Sequence, residues 1–220
     1  MPLPGQVEGA VTGARGFDSD TVITAPVAQQ FFAQGYKFCV RYLSRGMQAS
    51  GDLSTAEATN ILHGGLALMS VQHVRSPNWS PTGTLGQQDG AHAAMNAQSI
   101  GFPDVVNVWC DLEGVATGTP AGDVIAYCDA WFTAVKSGGY VPGLYVGANA
   151  ILSAQQLYDL PFQHYWKSLS KVPDIPVRGY QLVQLAPSIE ANGIGIDQDV
   201  AQTDSQGGQA QWLRIAMLGI

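Results

Sequence analysis

The sequence predicts an α/β protein built as one compact (β/α)8 barrel of the TIM type, with short final crossovers. Short apolar runs alternate with longer stretches of helical periodicity along the chain, the βαβα pattern of a mostly parallel sheet. Eight such runs occur, enough to close a barrel. An open doubly wound sheet, the second choice, wants a glycine-rich phosphate turn after its first strand. Gly16-Phe17-Asp18-Ser19-Asp20 stands there instead, an acidic pair with neither a dinucleotide nor a Walker fingerprint.

Ala14-Arg15-Gly16-Phe17-Asp18 is the first strand. Thr24 caps the helix that follows, whose first turn tolerates Pro26 and which runs to Gln34 before Gly35 stops it. Lys37 to Leu43 is the second strand, and Ser54 with Glu57 three residues later has the spacing of a capping box that opens the next helix. Leu66 to Val71 is almost wholly apolar, as a parallel strand covered on both faces should be, and the alanine-rich stretch from Leu85 to Ile100 is helical. Val105 to Cys110 forms the fourth strand, ending in Asp111-Leu112-Glu113-Gly114, and Pro120 to Ser137 the helix before Gly138-Gly139. Pro142 to Gly147, Phe162 to Trp166, Gly179 to Leu185 and Ile194 to Asp197 complete the eight strands. The connections after the sixth and seventh are too short for full helices.

The 220 residues are 46% hydrophobic and 12% charged, which excludes a disordered or collagen-like chain. One domain spanning 1–220 is expected, with its core between about 14 and 203. Ten Lys and Arg against seventeen Asp and Glu give a net charge of −7, and no basic stretch tracks a phosphate backbone, so nucleic acid is not an expected partner. The low charge suits a polar, uncharged ligand. Cys39, Cys110 and Cys128 read as reduced core thiols. No secretory signal and no membrane span are recognisable, so export is expected through lysis, a non-classical route or a delivery or secretion partner. A monomer is expected.

In a barrel of this kind the active site occupies the face formed by the C-terminal strand ends. Three acidic pairs fall at or just beyond expected strand ends: Asp18 with Asp20, Asp111 with Glu113, and Asp197 with Asp199. Any one pair could cap a helix or turn a loop. Six of seventeen acids at such positions point to a common site. Asp111 and Glu113 are two residues apart, on one face of a strand end, so they can share a cavity. Two carboxyls in a partly dry cavity separate in pKa, leaving one protonated as general acid and one ionised, which is what glycoside hydrolysis needs.

Sugar rings stack on aromatic faces, and Tyr42, Tyr145 and Trp166 near strand ends are the aromatic candidates for the cleft, against their ordinary reading as packing. Trp79 lies in the loop Ser76-Pro77-Asn78-Trp79-Ser80-Pro81, pinned by prolines and suited to a cleft wall. Gln72, His73 and Gln184 could hydrogen-bond hydroxyls or amides, and Arg41 could pair with a carboxylate in the barrel mouth. The four histidines show no ligand spacing, so neither metal nor cofactor is expected. A Ser-His-Asp or Cys-His hydrolase is a distant alternative, for no nucleophile elbow is present.

Gly16-Phe17-Asp18, the segment Ala33 to Leu43, Asp111-Leu112-Glu113 and Gly195-Ile196-Asp197-Gln198-Asp199 resemble the glycoside hydrolase-like domain of unknown function 1906, which is similar to the family 25 glycoside hydrolases. The resemblance runs from about Gly16 to Ala201. It implies a (β/α) barrel and a muramidase, which cuts the β-1,4 bond between N-acetylmuramic acid and N-acetylglucosamine in peptidoglycan. It implies Glu113 as general acid, Asp111 as its partner, Asp18 as a first-strand carboxylate shaping the subsite, and Asp197 as the last-strand carboxylate, with Asp199 a further member. No cell-wall-binding repeat is recognisable in the sequence, so wall binding is expected from the cleft itself or from a delivery partner. The expected action is therefore at the cell wall, and the alternatives are a catalytically silent saccharide-binding barrel or a hydrolase of another glycan.

Overall fold

The computed structural model describes residues 1–216; the last four residues of the expected 1–220 span lie outside it. Its strands are β1 (Gln6–Gly9), β2 (Arg15–Ser19), β3 (Phe38–Leu43), β4 (Ala67–Gln72), β5 (Asn107–Leu112), β6 (Val141–Val146), β7 (His164–Lys167), β8 (Leu182–Ala191), β9 (Ile194–Ala201) and β10 (Gln211–Arg214). The helices are α1 (Ala25–Ala33), α2 (Thr55–His63), α3 (Gly83–Ile100), α4 (Ala121–Ser137) and α5 (Ala154–Asp159). Among the described residues, no helix is long and apolar enough to cross a membrane.

The eight strands β2 to β9 close into a barrel, and they are the eight expected from the apolar runs. Adjacent strands from β2 to β8 run parallel. β9 runs antiparallel to both β8 and β2. The cause is local: Asn192 and Gly193 both have positive φ (51° and 79°), and Ala191 pairs with Ile194 across them. A two-residue turn of that hand joins antiparallel strands. The sheet has two strands more than expected, β1 and β10. These form an antiparallel ribbon that meets β4 at Leu213 and Leu68, below the point where β4 begins to pair with β5. Trp212 from this ribbon is buried in the barrel interior against Phe38, so the buried set extends beyond residue 203.

Strand alternation sorts the side chains into two layers. Val40, Met69, Trp109, Trp166 and Leu182 point into the barrel, and Cys39, Leu68, Val108, Cys110 and Leu144 point out to the helices. The three thiols are free and buried. The interior is tight enough that two strand positions exclude a side chain. A Cβ at Gly16 would stand 2.4 Å from the Phe38 ring, and one at Gly143 would stand 2.3 Å from the Trp109 ring.

Arg41 follows the outward parity and does not reach the mouth. It is fully buried, donates to Glu57 of α2 through Nε (2.6 Å), and also bonds the Ser19 and Gly51 carbonyls. Glu57 therefore does not close the capping box that its spacing suggested. Ser54 accepts its backbone N–H (3.2 Å), but the carboxylate is taken by Arg41 and the Ile23 N–H (2.8 Å). A complete capping box occurs instead at Ser153 and Gln156, opening the short α5.

Candidate active site

The inward parity that fills the barrel with apolar side chains turns polar at its mouth. On β2 the inward positions are Gly16 and then Asp18; on β5 they are Asn107, Trp109 and Asp111. A cleft of about 800 Å³ opens there, and Asp18, Asp20, Tyr42, Asp111, Glu113 and Asp197 all line it. Asp18 and Asp197 face each other across the β2–β9 pairing. Asp197 belongs to this rim because β9 is antiparallel: its N-terminal half, not its C-terminal end, lies at the mouth.

Asp18 is held from below. Gln184 donates to Asp18 Oδ2 (2.7 Å), and the Tyr42 hydroxyl donates to Oδ1 (3.4 Å). The Gln184 carbonyl accepts from the Tyr145 hydroxyl and the Leu169 N–H (3.1 Å each), which leaves its amide N–H to face Asp18. Burial pushes Asp18 up to about 7, with a further push from Asp197 and an opposing pull from the Gln184 hydrogen bond. Burial also holds the Tyr42 and Tyr145 phenols well above their ordinary range, so both stay protonated donors.

Asp111 is nearly buried, and its Oδ1 has no protein hydrogen-bond partner. Its carboxyl is raised well above the ordinary range by burial and then by the negative charges of Glu113 and Asp18. Glu113 stands just past β5, half-buried, and is raised by burial and by Asp197. Its backbone is pinned: Trp79 Nε1 donates to the Glu113 carbonyl (2.8 Å), Asn78 N–H to the Gly114 carbonyl (2.8 Å), and Trp79 bridges to Val115. Gly147 supplies the space for the side chain, since a Cβ there would stand 2.5 Å from both Glu113 Cβ and Oε2. One cleft thus holds several carboxyls whose protonated forms are favoured, the condition for a general acid at neutral pH.

Several candidates lie beside the cleft rather than on it. Asp199 sits one inward position deeper than Asp197, almost wholly buried, accepting from Trp166 Nε1 (2.9 Å). Trp166 is itself packed between Trp109 and Tyr145, so it forms the floor under the carboxylates and has no face free for stacking. Gln72 is the last residue of β4, with outward parity, and both ends of its amide are used in the helix layer. It donates to the Asp89 carbonyl (2.7 Å) and accepts from Trp131 Nε1 (2.8 Å). Trp79 is buried edge-on against Tyr127 and supports the Glu113 loop. The cleft also has walls that sequence reasoning did not single out. Ser188 and Glu190 come from the β8–β9 hairpin, and Ser188 donates to Asp197. His73, which the sequence did point to, is the first residue past β4; it lines the cleft and stacks on Tyr42 at 4.5 Å.

A family profile described as Rv2525c-like, glycoside hydrolase-like domain matches residues 29–211. The chain belongs to that family. Solved structures agree in fold across most of the chain. An uncharacterized protein from B. stearothermophilus has a TM-score of 0.66 at 21% identity, covering 86% of this chain and 96% of that one. The Tat-secreted protein Rv2525c of Mycobacterium tuberculosis has a TM-score of 0.66 at 18% identity, covering 91% and 99%. A bacterial lysozyme from Streptomyces coelicolor has a TM-score of 0.61 at 15% identity, covering 87% and 93%. No curated protein matches the sequence. The fold is thus a glycoside hydrolase-like barrel related to those of lysozymes and family 25 enzymes.

Proposed function

We propose that this protein is a glycoside hydrolase of peptidoglycan, cutting the bond between N-acetylmuramic acid and N-acetylglucosamine. The observation that carries the reading is the meeting of Asp111 and Glu113 in one cleft with Asp18 and Asp197, all on a barrel shared with lysozymes. Glu113 is the acid: its carboxyl is raised, stands at the cleft surface and is held against Gly147 by a fixed backbone. It gives its proton to the glycosidic oxygen as the bond to the anomeric carbon breaks. The oxocarbenium-like centre is stabilised by the carboxylates around it or by the substrate's own N-acetyl oxygen. Water then adds to the anomeric carbon, giving up its proton to a carboxylate. Asp18, fixed by Gln184 and Tyr42, and Asp197, fixed by Ser188, set the shape and field of the subsite.

The relative from M. tuberculosis is described as Tat-secreted, which supports placing the action of this chain at the cell wall. The test compares wild-type protein with Glu113→Gln on purified sacculi and on chitin oligomers, scoring new reducing ends. Reducing ends from sacculi with the wild type alone support the reading. Release by both proteins would remove Glu113 from its role, and saccharide binding without release by either would leave a glycan-binding barrel.

A further inference from the structure

A second cavity of about 480 Å³ adjoins the cleft and differs from it in charge. The two share His73, and the ends of β3 and β4 contribute to both. At the end of β3, Tyr42 lines the cleft and, just past it, Arg45 the second cavity; after β4, Val74 lines the cleft and Arg75 the second cavity. The charged lining of the cleft is acidic, from Asp18 to Asp197, with His73 at its edge. In the second cavity Arg45, Arg75, His73 and His92 meet, together with Asp52 and Asp89. That is two of six arginines and two of four histidines in a chain of net charge −7, a concentration that needs a cause.

Some of this charge is already matched. Arg75 forks onto Asp89 (3.0 and 2.7 Å), which also accepts from the Tyr127 hydroxyl (3.0 Å). Asp52 lies 2.8 Å from His73 Nε2 and accepts from Ser44 at its other oxygen (2.5 Å). Arg45 is different. Its Nη1 donates to the Val74 carbonyl (2.9 Å), and among the described residues it has no carboxylate partner. Its loop is anchored from α3, where Asn96 Nδ2 donates to the Ser44 and Gly46 carbonyls (2.7 and 2.9 Å). A guanidinium with spare donors, presented by a fixed loop, is preorganised for a carboxylate.

We propose that this cavity is an anion subsite that receives a carboxylate of the peptide substituent on the substrate strand. The proposal rests on the peptidoglycan reading and adds a specificity to it. The uncharged sugar backbone lies against the acids of the cleft, where an anionic peptide would be repelled. Beyond His73 the lining changes from acidic to balanced, Arg45 and Arg75 standing with Asp52 and Asp89, and the peptide carboxylate meets Arg45 there. The charge step between the two linings therefore fixes which way the strand and its substituent lie.

Calorimetric titration tests it in a Glu113→Gln background, where turnover is removed. The probes are a disaccharide-peptide muropeptide and the same compound with its peptide carboxyls amidated. Amidation should weaken binding about tenfold, about 1.4 kcal/mol. Arg45→Met should erase that difference without changing affinity for the amidated probe, and Arg45→Lys should restore part of it. His92→Ala serves as a second variant should Arg45→Met melt early, and it should shrink the difference. Equal affinity for the two probes in the Glu113→Gln background would overturn the proposal, as would a difference that persists in both variants. Binding of neither probe would remove the peptidoglycan reading beneath it, an outcome distinct from equal binding.

Discussion

Gly147→Ala isolates the placement of Glu113 from its chemistry. The added Cβ would stand 2.5 Å from both Glu113 Cβ and Oε2. Ordinary contact between non-bonded heavy atoms lies near 3.5 Å, so Glu113 has to move by about 1 Å, its backbone with it because Cβ does not move on side-chain rotation. Misplacing a catalytic group by about that much costs on the order of 10²-fold in rate, about 2.7 kcal/mol of activation free energy. Gly147 is not among the glycines with left-handed φ, so alanine brings no backbone strain of its own. The loss should therefore appear in kcat on soluble muropeptide oligomers, together with a lowered melting temperature, because the pinned Glu113 backbone has to shift. A variant that melts like the wild type and keeps kcat within about twofold would refute the claim that the acid is the side chain held against Gly147.

Other substitutions probe the supports of the site and the barrel. Asp18 has its folded pKa raised to about 7 from an ordinary 3.8. The folded state thus keeps a proton that the unfolded chain releases, and its stability falls as pH rises between those values, then levels above about 7. Asp18→Asn should flatten that fall in melting temperature while lowering activity; a wild-type pH dependence in the variant would contradict it. Arg41→Met leaves Glu57 buried without its partner and should cost roughly 3–5 kcal/mol in denaturant unfolding. Trp79→Phe keeps the ring but loses the donor to the Glu113 carbonyl. It should cost roughly 0.5–1.5 kcal/mol of folding stability and lower kcat more than it changes KM.

Strand parity explains how far the sequence could be read. The inward run Asn107, Trp109, Asp111 on β5 made Asp111 legible as a cleft residue once the strand was placed. Gln72 shows the opposite effect. Ending β4 one residue early put Gln72 in a loop, whereas as the last strand residue it turns outward to Asp89 and Trp131. Arg41 likewise takes the outward parity that its neighbours Val40 and Tyr42 leave to it. The antiparallel course of β9 had a local signal in Asn192-Gly193, and reading that turn would have brought Ser188 and Glu190 to the cleft. The β1–β10 ribbon had no such signal, because its two short strands lie some 200 residues apart and pair only in the folded chain, with Trp212 and Leu213 packed under the barrel. The second cavity was equally hidden, since Arg45, His73, Arg75 and His92 come from three separate elements.

If these carboxyls cut peptidoglycan on the reducing side of muramic acid, as proposed, the new chain end carries the mark of the reaction. Soluble fragments released from sacculi by the wild-type protein are reduced with borohydride, hydrolysed and analysed by mass spectrometry. N-acetylmuramic acid should be recovered as its alditol, with none above background from Glu113→Gln. Recovery of reduced N-acetylglucosamine instead, or of muramic alditol in equal yield from the variant, would contradict the proposed cleavage.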